Sequence, residues 1–137
     1  MKDRVGTIMS EHQIKVLVIE DDEYSRDALA HLLAAEGYDA QSAHDGEAGL
    51  DKAREANPDV IVLDLNLPGI DGKQVIKMIR GDESIASIPI LVVTGDDDIA
   101  AQAAVDTGAD GYLTKPVEFD TLISAITNIQ TSPVSGR

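Results

Sequence analysis

Val60-Ile61-Val62-Leu63-Asp64-Leu65-Asn66-Leu67-Pro68-Gly69 sets four consecutive apolar side chains before a carboxylate and follows them with a loop rich in Asn, Pro and Gly. An apolar run this short, bounded by turn residues, reads as a strand buried on both faces, which means a parallel sheet. Three other runs share the design. Val16-Leu17-Val18-Ile19 leads into Glu20-Asp21-Asp22, Ile90-Leu91-Val92-Val93 ends at Thr94, and Gly111-Tyr112-Leu113-Thr114 ends at Lys115-Pro116. Strands of a parallel sheet point the same way, so their terminal residues collect along one edge. Ligands of open α/β sheets bind outside that edge, where the strand order reverses. An acidic cluster, a further carboxylate, a hydroxyl and an ammonium are therefore expected to meet there.

Between the strands the chain alternates with helices. Asp22 or Glu23 starts the first, with Leu29, Leu32 and Leu33 on one face and Gly37 as its stop. Tyr38 to Ala43 alternates weakly, as a short edge strand would. Asp45 opens a second helix with Ala48, Ala53 and Ala56 inward, ended by Asn57-Pro58. Asp71 is placed as an N-cap, with Gln74 completing a capping box ahead of Val75, Ile76 and Ile79. Pro89 opens the fourth strand, Asp98–Thr107 is an Ala-rich helix stopped by Gly108, and the fifth strand is roughly Asp110–Thr114. From Phe119 onward Leu122, Ile123, Ile126 and Ile129 recur at helical spacing. Five strand–helix units with short connections predict an α/β sandwich with right-handed crossovers. The expected division is an N-terminal extension over 1–13, one domain over 14–130 and a disordered tail over 131–137.

Composition excludes several functions. A chain of 137 residues suits one domain with a real core. Its 11 Lys and Arg against 25 Asp and Glu leave a formal charge of −14, which opposes direct nucleic-acid binding. Cysteine is absent, so thiolate metal sites and Cys nucleophiles are excluded. No apolar run reaches membrane length, and the expected location is the cytoplasm.

Glu20, Asp21 and Asp64 would crowd like charges, which destabilises a fold unless a cation relieves them. Mg²⁺, a hard ion that accepts carboxylates, carbonyls and waters, answers that need, and the lack of nearby His or Cys argues against zinc. Asp22 alone reads as a helix cap. Capping does not account for the group as a whole, because Asp64 ends a different strand. An Asn at 64 would avoid the cost, whereas a carboxylate can act as a nucleophile toward phosphorus and form an acyl phosphate. Such a transfer chiefly needs its phosphoryl oxygens neutralised. Thr94 and Lys115, each unremarkable alone, together with Mg²⁺ supply one partner per oxygen.

The motifs Val-Ile-Glu-Asp-Asp, Leu-Asp-Leu-Asn-Leu-Pro-Gly-Ile-Asp-Gly, Val-Val-Thr-Gly and Gly-Tyr-Leu-Thr-Lys-Pro occur in order, and the chain over about 14–130 resembles a response-regulator receiver domain, with the stand-alone chemotaxis regulators as the nearest pattern. The resemblance implies a flavodoxin-like (βα)5 three-layer sandwich with strand order 2-1-3-4-5. It implies that Asp64 accepts a phosphoryl group from a phosphohistidine on a sensor histidine kinase or histidine phosphotransfer protein. Asp21 and Asp64 would bind Mg²⁺ directly, Glu20 through water and Asn66 by its backbone carbonyl. Thr94 and Lys115 would contact the phosphoryl oxygens, and Lys115-Pro116 would be cis, the form only X-Pro bonds populate cheaply. Tyr112 would reorient when Thr94 is drawn to the phosphate, switching the surface of the fourth helix, fifth strand and fifth helix for a downstream protein target. Tyr112 reads equally well as a strand aromatic packed on the last helix.

Glu20 stands where the family more often has Asp. Asn66 and Asp96 lie two residues beyond Asp64 and Thr94, where polar groups help orient an attacking water, so faster hydrolysis is expected. His12, His31 and His44 are isolated and read as solvated. With no effector domain in the sequence, the expectation is a stand-alone regulator or a module of a larger protein, catalysing only its own phosphorylation and dephosphorylation. The alternatives are a Mg²⁺-dependent aspartyl phosphatase, which would want an acid where Asn66 stands, and a receiver-like interaction module that is never phosphorylated.

Overall fold

The computed structural model describes residues 13–95 and 97–131. Asp96, His12 and the tail from 132 lie outside the described residues, and so do the expectations attached to them. Among the described residues ten elements alternate: β1 (Lys15–Ile19), α1 (Glu23–Ala35), β2 (Asp39–Ala43), α2 (Gly46–Ala56), β3 (Val60–Leu63), α3 (Gly72–Arg80), β4 (Ile90–Thr94), α4 (Asp98–Thr107), β5 (Gly111–Thr114) and α5 (Phe119–Thr131). All strand pairs are parallel, and the sheet order is β2-β1-β3-β4-β5. The order reverses between β1 and β3, as the flavodoxin-like reading requires.

Alternation along the buried strands builds two cores. Leu17, Ile19, Ile61, Leu63, Ile90 and Val92 face α2, α3 and α4, whereas Val16, Val18, Val60, Val62 and Leu91 face α1 and α5. The sheet is thus the middle of three layers. Side chains such as Ile61, Ile76 and Ile126 are completely buried, and truncating one to Ala costs about 2–5 kcal/mol.

Local chemistry accounts for the helix boundaries. Asp22, Asp45, Asp71 and Asp97 each accept the backbone N–H of the third residue of the helix that follows, and Gln74 closes the capping box on Asp71. Gly108 ends α4 at φ +139°, a left-handed value that suits glycine, while a Cβ there would lie 3.2 Å from Arg80 Cγ.

Several sequence expectations need adjusting. Leu32 is 48% exposed, because Leu29 and Leu33, one turn apart, take the sheet-facing stripe and leave Leu32 on the rim. On α2, Ala53 is fully buried as expected, Ala48 and Ala56 are only half-buried, and Leu50, Gly46 and Gly49 complete the inner face. Strand β5 begins at Gly111, and α5 includes Thr131. His31 and His44 are exposed, although His44 Nε2 stands 3.3 Å from the Asp45 carboxylate.

The edge at which β4 and β5 begin is closed by one side chain. Arg80 donates to the carbonyls of Gly108, Ala86 and Ile88 at 3.0, 2.9 and 2.7 Å and to the Asp110 carboxylate at 2.9 Å. The same Asp110 oxygen accepts the Ile90 N–H at 2.8 Å. The end of α3, the starts of β4 and β5 and the end of α4 are thereby joined.

Candidate functional site

Backbone ladders deliver the chemical groups to the opposite edge. Ile19 pairs with Leu63, so Glu20 and Asp64 leave the sheet on adjacent rungs. Asp64 N donates to Ile19 O at 3.0 Å and Glu20 N to Ala43 O at 3.1 Å, continuing the ladder one step past the strands. Thr94 pairs with Thr114, and Lys115 N donates to Thr94 O at 2.8 Å. Four strand ends meet there, and Lys115-Pro116 is cis.

At the centre is an ammonium shared by two carboxylates. Lys115 Nζ lies 3.0 Å from Glu20 Oε1 and 3.4 Å from Asp64 Oδ2. Glu20 and Asp64 are each 8% exposed, and Thr94 is completely buried at the end of β4. Burial pushes the Asp64 carboxyl above the usual carboxylate range. The Asn66 N–H and the Lys115 charge pull it back, the Glu20 charge pushes it up, and the net direction is upward. For Lys115, burial works against the charged form, yet the hydrogen bond to Glu20 and the attraction of Asp64 and Glu20 outweigh it and raise the ammonium above its usual range. The Lys115 ammonium thus stands between two buried acidic side chains.

The loop after Asp64 is held tightly. Asn66 N donates to Asp64 Oδ1 at 3.1 Å, and Gly72 N to Leu65 O at 2.9 Å. A Cβ on Gly72 would fall 2.5 Å from Leu65 Cα and 2.8 Å from Asp64 O, so only glycine lets α3 start this close to the end of β3.

The structure brings Glu20, Asp64 and Lys115 into contact and buries Thr94 beside them. Asp21 is exposed at the rim, and Asn66 presents an exposed side chain. Among the described residues no three acidic or imidazole side chains converge as a ready-made metal cage. The groups present nonetheless fit Mg²⁺, which keeps several waters and needs only one or two carboxylates with a carbonyl. Tyr112 is half-buried and packs on the α2–α4 side of the sheet, whereas its neighbour Leu113 faces α5. Of the two readings of Tyr112, packing on the last helix does not hold, because alternation along β5 turns the side chain toward α4.

One contributor escaped the sequence reading. Arg26 Nη1 donates to the carbonyls of Glu20 and Asp21 at 3.1 and 3.2 Å, and Glu20 Oε2 accepts the Asp22 N–H at 3.0 Å. The acidic turn is thus fixed by a helix that begins two residues later. The signal available was an arginine on the first turn after the acidic run. Beside the site, Tyr24, Leu29, Leu32, Pro116, Phe119 and Leu122 line an apolar groove between α1 and the start of α5. Tyr24 is 83% exposed there. No helix among the described residues is long and apolar enough to cross a membrane.

Known proteins show the same organisation. The response regulator receiver domain family matches residues 16–127. Response regulator MprA of Mycobacterium tuberculosis is 38% identical over 112 residues, covering 81% of this chain and 48% of that protein. The chain spans about half the length of the curated relatives it matches. Among solved structures, the chemotaxis response regulator CheY4 of Vibrio cholerae aligns with a TM-score of 0.80 at 31% identity, covering 86% of this chain and 99% of that one. The receiver domain of Francisella response regulator 1452 aligns at 0.79 and 29% identity, covering 86% and 97%. With its strand order, its acidic edge and these relatives in agreement, the chain belongs to the response regulator receiver domain family of two-component signalling.

Proposed function

We propose that this domain accepts a phosphoryl group on Asp64 from a phosphohistidine of a sensor kinase or phosphotransfer protein and signals through α4, β5 and α5 to a downstream protein. The observation that carries the reading is the buried Asp64 carboxyl held 3.4 Å from an ammonium that it shares with Glu20. An Asp64 oxygen forms the new bond to phosphorus as the bond from phosphorus to the imidazole nitrogen breaks, leaving the ring on the donor. Lys115 neutralises one phosphoryl oxygen and the Thr94 hydroxyl donates to another. Asp21, Asp64 and the Asn66 carbonyl would hold Mg²⁺, with Glu20 acting through water. When bound, the ion offsets charge on the remaining oxygen.

The apolar groove beside Lys115-Pro116 suits the docking of the donor, since its exposed Tyr24 sits on the first turn of α1 next to the reacting edge and Leu32 extends the groove away from it. Drawing Thr94 toward the new charge biases Tyr112 on the neighbouring strand, which is how one phosphoryl group shifts a two-state surface. The domain turns over only its own acyl phosphate, with Asn66 and Asp96 favouring faster hydrolysis. Its cytoplasmic location follows from a kinase-borne donor.

Incubation with acetyl phosphate and Mg²⁺ followed by peptide mass mapping tests this reading. The expected result is one phosphoryl group per chain, on Asp64. Sustained turnover of the donor would favour the phosphatase, and absence of label the interaction module.

A further inference from the structure

We propose that the face made by α4 and β5 receives a basic segment of a partner protein, with Lys or Arg side chains beside an apolar anchor, and that it rejects a second copy of this chain. The inference deepens the reading above and rests on it for the identity of this face as the output surface.

Three features of the face carry it. First, Ile99 is 80% exposed on the opening turn of α4, and with Ala103 and Tyr112 it supplies the apolar lining of a groove between α4 and β5. Second, the groove wall is acidic. Asp98, Gln102 and Asp106 follow one another at four-residue spacing, so they share one side of the helix, and the two carboxylates stand roughly 12 Å apart along its axis. Gln102 Nε2 donates to Asp106 Oδ1 at 3.2 Å, a neutral contact that leaves the charge in place.

Third, cations are distributed unevenly. Among the described residues every lysine and arginine except Lys115 lies at or before Arg80, and Lys115 is engaged by Glu20 and Asp64. The exposed residues of α5 are Asp120, Thr121, Ser124, Thr127 and Asn128, which add no positive charge. A two-fold dimer sets a patch against its own copy. Here it would set acid against acid with no cation on either side, an arrangement that suppresses association. A basic partner meets both the carboxylate row and the overall negative charge that steers it inward.

The test uses the full chain and two synthetic amphipathic peptides of about four helical turns. Both carry the same leucine row, one flanked by lysines at four-residue spacing and the other by glutamates. Amide shift perturbation and affinity are measured for unlabelled protein, for protein labelled with acetyl phosphate and Mg²⁺, and for Asp64→Asn. The lysine peptide is expected to perturb Ile99, Gln102 and Tyr112, and the glutamate peptide to leave them unmoved. Asp98→Lys with Asp106→Lys should weaken the lysine peptide about tenfold by turning two exposed ion pairs repulsive. Labelling of Asp64 in that variant should be unchanged. Ile99→Ser should weaken binding without altering its salt dependence.

Perturbation scattered over other faces, equal affinity for the two peptides, or a phosphorylation-dependent dimer through Ile99 overturns the proposal. Equal binding by labelled protein and Asp64→Asn supports the basic docking face and removes the switch. Failure to label Asp64 removes the phosphoacceptor reading alone, because the peptides are also read on unlabelled protein.

Discussion

Where β4 and β5 begin, the Arg80 guanidinium divides its donors among three carbonyls and one carboxylate at 2.7 to 3.0 Å, while at the other edge of the sheet the Lys115 ammonium reaches two carboxylates at 3.0 and 3.4 Å. Both edges join a cation to acids across elements distant in sequence. They differ in balance. Arg80 pairs with the Asp110 carboxylate, which also holds the Ile90 N–H, and spends its other donors on backbone carbonyls, so that edge acts as a structural junction. Lys115 is outnumbered, and the Asp64 carboxyl stays raised above its usual range by burial and by Glu20. The comparison teaches that a buried ion pair serves folding when its hydrogen-bonding capacity is met and serves chemistry when charge is left over.

Removing each key residue should separate those roles. Asp64→Asn is expected to abolish labelling by acetyl phosphate completely, read by mass, and to raise thermal stability at neutral pH by removing a carboxylate that burial disfavours. Lys115→Met should slow labelling by roughly a hundredfold, the scale for losing one charge-stabilising donor. Its effect on stability should stay below about 1 kcal/mol, because Lys115 is 38% exposed. Arg80→Met is expected to do the reverse. It should cost about 3 kcal/mol by removing the cation that pairs with Asp110 and donates to three carbonyls, visible as a melting temperature lower by roughly 10–15 °C. Labelling of the folded protein should persist. A Lys115 variant that melts early, or an Arg80 variant that folds normally yet resists labelling, would break the contrast.

The finest test is titration. Between 3.8 and its raised native value, Asp64 is more protonated in the folded chain than in the unfolded one, so stability falls as pH climbs through that window. Asp64→Asn should flatten that slope in denaturant midpoints. Asp82 has the opposite sign. The hydrogen bond from Arg54, followed by those from Ser84, holds its carboxyl at about 2 rather than 3.8. Its small contribution is present above 3.8 and fades as pH falls toward 2, and Asp82→Asn should remove that fade. An unchanged slope in Asp64→Asn would remove the charge imbalance assigned to the Lys115 edge.

Much of this architecture was legible beforehand. The bounds of β3 and of α4 match the sequence reading, because a run of four branched residues between turn signals and an Ala-rich stretch stopped by Gly108 are local statements. The Asp71 capping box is local too. At the site, the strand-end rule foresaw that Glu20, Asp64, Thr94 and Lys115 would share one edge. It did not foresee Arg26 clasping the Glu20 and Asp21 carbonyls, since a backbone carbonyl leaves no mark in side-chain spacing. Leu32 was misread because helical spacing marks an apolar stripe without saying how far the sheet beneath it extends.

The order of residues alone determined the alternating elements, the parallel sheet and the identity of the charged groups at its edge, because hydrophobic period, caps and turn chemistry act within a few positions. Tertiary structure alone decided that Lys115 is shared by Glu20 and Asp64, that Tyr112 faces α4, and that Arg80 joins four segments. Those outcomes depend on where side chains from separate elements meet, and such distances arise only once the layers have packed.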